Sequence, residues 1–598
     1  MNAVVKNLPT HFLGTFMAWL IVGLVIQSTV IGQATGQEKS VDDRSADEAH
    51  QEVFEEAEGF PSASKCQSCH PKQYREWSVS PHAYAQMSPV FNAMSGTIIK
   101  LSSGTNGDFC IRCHSPIGMA LDEPLFTSNL KRHPASREGI TCIVCHRVNL
   151  GYGKISGRFG IEKGDVDAPV YGPGGNAILA EAIKDPDGGL VTEPGKPGAL
   201  VHGTAPKFFQ LTQSGFCGIC HDVTLVNGFR LEEAFSEYKA SPAGRKGITC
   251  QQCHMRDAPG VPGEYAVGPA AIVNGKPTKD RNLSNHLIAG PDYSVIHPGL
   301  FPFNPEATAL ATMSEWIHFM HEEGWGKPEF EDRVATDYGF PARWSDSKSR
   351  REAREIIDAQ QALLAEAKAR SKKVLQAGYQ LGEHVVHEAS QGGLDFSVQV
   401  FNATEGHGVP TGFIAERVAA LRVTVTDAEG KVVFRSGDLD PNGDVRDLHS
   451  VYVHNGELPL DKHLFSLQSK FITRNIRGGE REQVLAVNYS IDPLPYVRPD
   501  TRPSILLGRT LGARIHKNNI MPGNKRWARY KVSAGELEGS TGPYKANVKF
   551  FAGMVPVNLI YEIMGVGFDY GMSPRDVADA VVAGHEVLWE RDIELKTH

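Results

Sequence analysis

The sequence has no cysteine outside five short motifs of identical spacing, so nothing is left over for a disulfide framework. It has no excess of positive charge: 61 Lys and Arg stand against 69 Asp and Glu, for a formal net charge of −8. A polyanion would be repelled by such a surface, which excludes a nucleic-acid partner. Beyond residue 26 it has no apolar run long enough to span a bilayer. Membrane association can therefore occur only through an uncleaved N-terminus.

That terminus differs from the rest. Lys6 is the sole full positive charge before Lys39, and Phe12–Ile26 is apolar apart from small residues. A core of about 15 apolar residues is short for a span and fits an export leader. Gly32-Gln33-Ala34 supplies a small-residue cleavage site. A leader is expected over 1–36 and an acidic linker over 37–59. The 598 residues leave room for three to four domains.

What is present is the CxxCH pattern: Cys66–Cys69–His70, Cys110–Cys113–His114, Cys142–Cys145–His146, Cys217–Cys220–His221 and Cys250–Cys253–His254. Two thiols three positions apart can reach the two vinyl groups of one porphyrin. The adjoining histidine then lies under the iron. A zinc site or a dithiol redox site would not need a histidine after every second cysteine. Five covalent c-type hemes are expected. Their attachment happens outside the cytoplasm, in agreement with the leader, so a periplasmic or otherwise extracytoplasmic location is expected.

The motifs repeat in order. Phe109-Cys110 and Gly139-Ile140-Thr141-Cys142 are echoed by Phe216-Cys217 and Gly247-Ile248-Thr249-Cys250, which reads as two copies of a two-heme module. A second echo links Glu76-Trp77-Ser78-Val79-Ser80-Pro81-His82 to Glu237-Tyr238-Lys239-Ala240-Ser241-Pro242-Ala243. The first copy ends in histidine and the second in alanine, which singles out His82 as a ligand.

Five irons need sixth ligands. Two histidines give low-spin iron at low potential, methionine raises the potential, and an open position permits catalysis. His82, His133, His202, His286 and His297 are the expected distal ligands. His318 and His321 share one helix, so only one of them could face a heme. Met87, Met94 and Met119 are rivals better explained by packing. His407, in the loop Gly406-His407-Gly408-Val409-Pro410-Thr411-Gly412, could cap a heme of the neighbouring domain. His384 and His387 read as surface residues.

Residues 150–205 read as Gly/Pro-rich loop. Helices are expected over Glu306–His321, capped by Asn304, and over Ser349–Ala377, closed by Gly378. From Leu394 the pattern alternates, as in half-buried strands. Ser573-Pro574 opens a terminal helix to about Trp589.

Tyr74-Arg75-Glu76-Trp77-Ser78-Val79-Ser80-Pro81-His82, followed by CxxCH repeats, resembles multiheme cytochromes related to the tetraheme carrier that accepts electrons from hydroxylamine oxidoreductase. The resemblance covers about residues 60–300. It implies bis-histidine hemes in close stacked pairs, with His82 matching an early distal histidine. The segment Gly406–Arg417 resembles a β-domain appended to multiheme cytochromes of this group. Five motifs replace the family's four, and the C-terminal extension is long.

The fold class expected is multidomain α+β. A heme-packed, mostly α and irregular cytochrome domain (60–304) leads through a helical connector (305–390) to an Ig-like β-sandwich (391–555) and an extension with a terminal helix (556–598). The function expected is electron transfer between a redox protein donor and acceptor, with no catalytic residue assigned. One alternative is an oxidoreductase with one open heme acting on a small nitrogen or sulfur compound. Another is a partner- or glycan-docking β-domain served by the hemes.

Overall fold

The computed structural model describes residues 59–104, 106–148, 156–157, 159–185, 187, 202, 204–224, 230–476, 482–486 and 514–596. The expected leader, and all of the acidic linker except Gly59, lie outside the described residues. No helix among the described residues is long and apolar enough to cross a membrane.

The cytochrome part is built from short helices, four of which are started by Ser-Pro pairs. Serine caps and proline at the first position stabilise a helix start without needing an i→i−4 donor there. Helix α1 spans Pro71–Ser78 and helix α2 spans Pro89–Leu101. The Ser88 hydroxyl accepts from Phe91 N at 3.2 Å to open α2. Ser80, Ser115 and Ser241 cap single turns in the same way. Helix α3, Ala234–Ala240, precedes the last of these. Helical turns carry the CxxCH motifs at Ile111–His114, Cys142–His146 and Cys250–His254. Residues three apart share a helix face, so both thiols of a motif point one way. In the stretch read as loop over 150–205, Asn176–Lys184 forms a helix. The hydrophobic run Ala177–Ala180 outweighs the flanking glycines.

The connector holds one long helix, α4, over Ser347–Gly378. Asp346 caps it, accepting from Lys348 N at 2.8 Å and Ser349 N at 3.1 Å. Its first half packs Ala353, Ile356 and Ile357 against Trp316, Phe319, Trp325 and Trp344. Its second half covers Val79, Leu287 and Ala289. Gln360, the polar interruption of that face, is buried and donates to Pro302 O at 3.2 Å. The helix expected over Glu306–His321 is broken in two, Pro305–Leu310 and Met313–Trp316. A Thr312/Glu315 capping box restarts the chain there.

The β region contains two antiparallel sheets around one core. Strands β1 (Tyr379–Ser390), β2 (Gly393–Asn402), β3 (Val418–Thr426), β4 (Val432–Ser436), β5 (Lys470–Ile476), β6 (Glu482–Ala486), β7 (Arg514–His516), β8 (Lys525–Ser533), β9 (Tyr544–Gly553) and β10 (Glu586–Leu595) follow in chain order. One sheet is ordered β8-β2-β1 and the other β4-β3-β9-β10, with β6-β5-β7 as a small third. Phe396, Val398 and Val400 of β2 meet Leu421, Val423 and Val425 of β3 in the core. Tyr530, Val548, Phe550 and Ile593 fill the rest of it. The alternation seen in the sequence is this inward-facing set.

Two boundaries differ from expectation. Strand β1 starts at Tyr379, directly after α4, inside the segment read as helical. At the other end the terminal helix (α6, Pro574–Ala583) stops early, and β10 follows where helix was expected. Strand β10 completes a sheet edge beside β9, and that long-range pairing overrides local helix propensity. Helices α5 (Val557–Ile563) and α6 pack Leu559, Ile560, Val577 and Val581 onto Val90, Ala93 and Ile98 of α2. The C-terminal segment thus returns to the cytochrome part.

Candidate heme-binding sites

Four of the five motif histidines face a second imidazole. The ring centres of His70 and His202 lie 6.2 Å apart at 15°. His221 and His82 lie 6.2 Å apart, His146 and His286 6.5 Å, and His254 and His407 6.3 Å. Two metal–nitrogen bonds of about 2 Å plus the ring half-widths require roughly 6 Å between such centres. The spacing therefore fits one iron between each pair.

Nδ1 is committed in most of these rings, which leaves Nε2 for a metal. His70 Nδ1 meets Ala270 O at 2.8 Å and His146 Nδ1 meets Tyr171 O at 2.7 Å. His221 Nδ1 donates to Glu232 Oε1 at 3.1 Å. His286 Nδ1 meets Ser284 O at 3.1 Å and His407 Nδ1 meets Gly408 O at 2.9 Å. Donation from Nδ1 sets the tautomer and raises the basicity of Nε2. Burial holds the free His82 imidazole down at about 3, helped by the neighbouring His221, His114 and His254. Burial also takes His146 and His254 down to about 4. Neutral imidazole is the form that can offer a lone pair to iron.

His114 is different. Phe91 lies flat against its ring at 3.7 Å and 4°, and its Nδ1 meets Ala85 O at 3.1 Å. Among the described residues no imidazole faces it.

Thiols of different motifs are also neighbours. Cys66 lies within hydrogen-bonding reach of Cys142, Cys113 of Cys220, and Cys217 of Cys250. The last contact joins the two motifs of one expected module. The other two link motifs far apart in sequence, first to third and second to fourth.

Of the expected distal set, His82, His202 and His286 lie opposite motif histidines, and His133 and His297 do not. His133 instead caps the turn Pro134–Arg137, its Nδ1 accepting from Ala135 N at 3.1 Å. His297 has both nitrogens engaged: Nδ1 accepts from Gly299 N at 2.9 Å, and Nε2 lies 2.8 Å from Phe319 O. It packs between Trp316 and His321. Both residues sit directly before a proline in tight turns, where an imidazole readily serves the backbone. Met87 and Met94 pack in apolar clusters. Glu232 was not visible as a partner of His221, because only the short pairing of Val223–Thr224 with Arg230–Glu232 brings it back to the motif.

Paired imidazoles over CxxCH turns are the features of a multiheme c-type cytochrome, here joined to a β-sandwich that contributes one of the facing histidines. Residues 65–147 match the profile of a family described as cytochrome c554 and c-prime. That match supports covalently bound heme c in this segment. A penta-heme cytochrome c552 from Thermochromatium tepidum is similar in structure, with 16% identity and a TM-score of 0.47 over 90% of this chain and 99% of that chain. No curated protein sequence matches the chain.

Proposed function

We propose that the chain carries electrons between redox protein partners outside the cytoplasm, through five covalently held hemes c. The observation that carries this reading is the set of four facing imidazole pairs, in which five of the eight rings engage Nδ1 and leave Nε2 for iron. Heme c, when bound, supplies one-electron chemistry at its iron. The ten cysteines would hold the porphyrins. His70, His114, His146, His221 and His254 would be proximal ligands, and His202, His82, His286 and His407 distal ones. Saturated iron at four of the five sites favours a carrier over a catalyst. The neighbouring thiols bring the attachment points of different motifs together, as a relay needs. The apolar N-terminal segment is the support for export.

A second reading has its own observation. His114 lacks a facing imidazole among the described residues, which favours one exchangeable iron open to a small nitrogen or sulfur compound. In both readings the β-sandwich takes part through His407.

The test is a heme assay and an anaerobic redox titration of the purified full-length protein. Five hemes per chain, all reversibly reduced, with no turnover of nitrite or hydroxylamine, is the expected result. Steady turnover of either compound would overturn the carrier reading in favour of the second.

A further inference from the structure

The two echoes in the sequence coincide in space. Ser80 accepts from Ala83 N at 3.1 Å, and Ser241 accepts from Gly244 N at 3.1 Å. Ile140 N donates to His82 O at 3.0 Å, and Ile248 N donates to Ala243 O at 3.0 Å. Gly139 and Gly247, with φ of 63° and 72°, turn the chain into the motifs of Cys142 and Cys250. One structural unit is therefore built twice, around His146 and around His254.

Each copy contains a glutamate four residues before the Ser-Pro pair, half-buried at Glu76 and buried at Glu237. Glu76 of α1 has a side chain 12% exposed, and Glu237 of α3 has one 5% exposed. Glu76 Oε2 accepts from the backbone N of His286 at 3.0 Å, and its Oε1 accepts from Asn285 Nδ2 at 3.1 Å. Glu237 Oε2 accepts from Gly408 N at 3.1 Å and Thr411 Oγ1 at 2.7 Å, and its Oε1 accepts from Asn519 Nδ2 at 3.1 Å. Each carboxylate has a lysine at hand, Lys72 at 2.5 Å and Lys517 at 3.5 Å. The loops they hold carry His286, which faces His146, and His407, which faces His254.

We infer that Glu76 and Glu237 are duplicated positioning residues, each pinning by its carboxylate the loop that presents the sixth ligand to the heme of its own copy. The inference rests on the reading of His286 and His407 as distal ligands. The physical cause is local. A carboxylate enclosed by protein needs its acceptor sites filled, and backbone N–H groups of a loop fill them at one loop position only. Partners behind a ligand fix its orientation, and their loss typically weakens ligation 10–100-fold. The β-sandwich loop reaches its place because Gly408 carries no Cβ; one there would run into Asn519 and come within 3.1 Å of Glu237 Oε2.

The test counts carbon monoxide bound by the reduced, fully hemylated full-length protein. His407→Ala should raise the count by one per chain over the parent, and Glu237→Ala should match it. Glu237→Gln keeps an acceptor oxygen for Gly408 N and should stay at the parent value. Glu76→Ala should add one equivalent in the same way through His286. If His407→Ala adds a site and Glu237→Ala does not, the positioning role is overturned. If His407→Ala adds none, the ligand reading itself fails. Should Glu237→Ala not accumulate, Glu76→Ala decides, because the first copy lies on separate elements and no added equivalent there overturns the inference.

Discussion

Asp444 shows how far a single residue can be driven by its surroundings. It is buried beside Asp440 and Asp447, and burial and then the Asp440 charge push its carboxyl up to about 8. It accepts from Val557 N at 2.7 Å, at the start of α5. An unfolded aspartate ionises near 4, so the folded protein holds a proton that the unfolded chain releases. That stability is fully present below pH about 4 and is lost as pH rises through about 8. Asp444→Asn stays neutral and escapes the loss. The variant should gain on the parent by up to about 1.4 kcal/mol per pH unit across that window. Thermal unfolding at pH 5 and pH 8.5 measures it, and a difference between the two proteins that does not grow with pH would refute the account. Histidines present the opposite problem of legibility. The motif histidines are readable because their chemistry is written in adjacent positions. The distal ones are not, because nothing local distinguishes His202, which faces His70, from His133, which caps a turn.

At the scale of elements, α4 is anchored by a buried ion pair. Arg350 meets Glu331 through Nε at 2.8 Å and Nη2 at 2.5 Å, with side chains 4% and 1% exposed. Its Nη1 donates to Trp344 O at 2.7 Å, and its guanidinium lies 3.8 Å from the Phe340 ring centre. Arg350→Ala leaves an unpaired buried carboxylate and should cost about 3–5 kcal/mol. Arg75→Ala breaks only the exposed pair with Glu366 and should cost less than about 1 kcal/mol. Denaturant unfolding of both variants checks the contrast, and equal losses would contradict it. Helix α4 was legible almost to its ends because periodicity and the terminal glycine agree. The helix over Glu306–His321 was not, since Thr312 and Glu315 form a second cap within it. Strand β10 was missed because its pairing with β9 is long-range.

Across the whole molecule, the cytochrome part and the β-sandwich share their sites. The sandwich supplies His407 opposite His254, while α5 and α6 close over α2, the helix that bears Phe91 beside His114. The sequence showed the repeat as two unrelated echoes, because Cys110–His114 lies between Glu76–His82 and Gly139–Cys142, whereas Cys217–His221 precedes Glu237–Ala243. Only the fold sets Ile140 and Ile248 on equivalent carbonyls. Sequence order suggested pairs of consecutive hemes; Cys217 and Cys250 of one such module are neighbours, and Cys66 with Cys142 and Cys113 with Cys220 are further neighbours that sequence order did not suggest.

The central claim is that four irons are held by two histidines each and the one at His114 is not. Electron paramagnetic resonance of the oxidised full-length protein tests it most directly. The account predicts four low-spin bis-histidine irons and one iron whose signal shifts on adding cyanide. Five low-spin irons, none of them altered by cyanide, would contradict it.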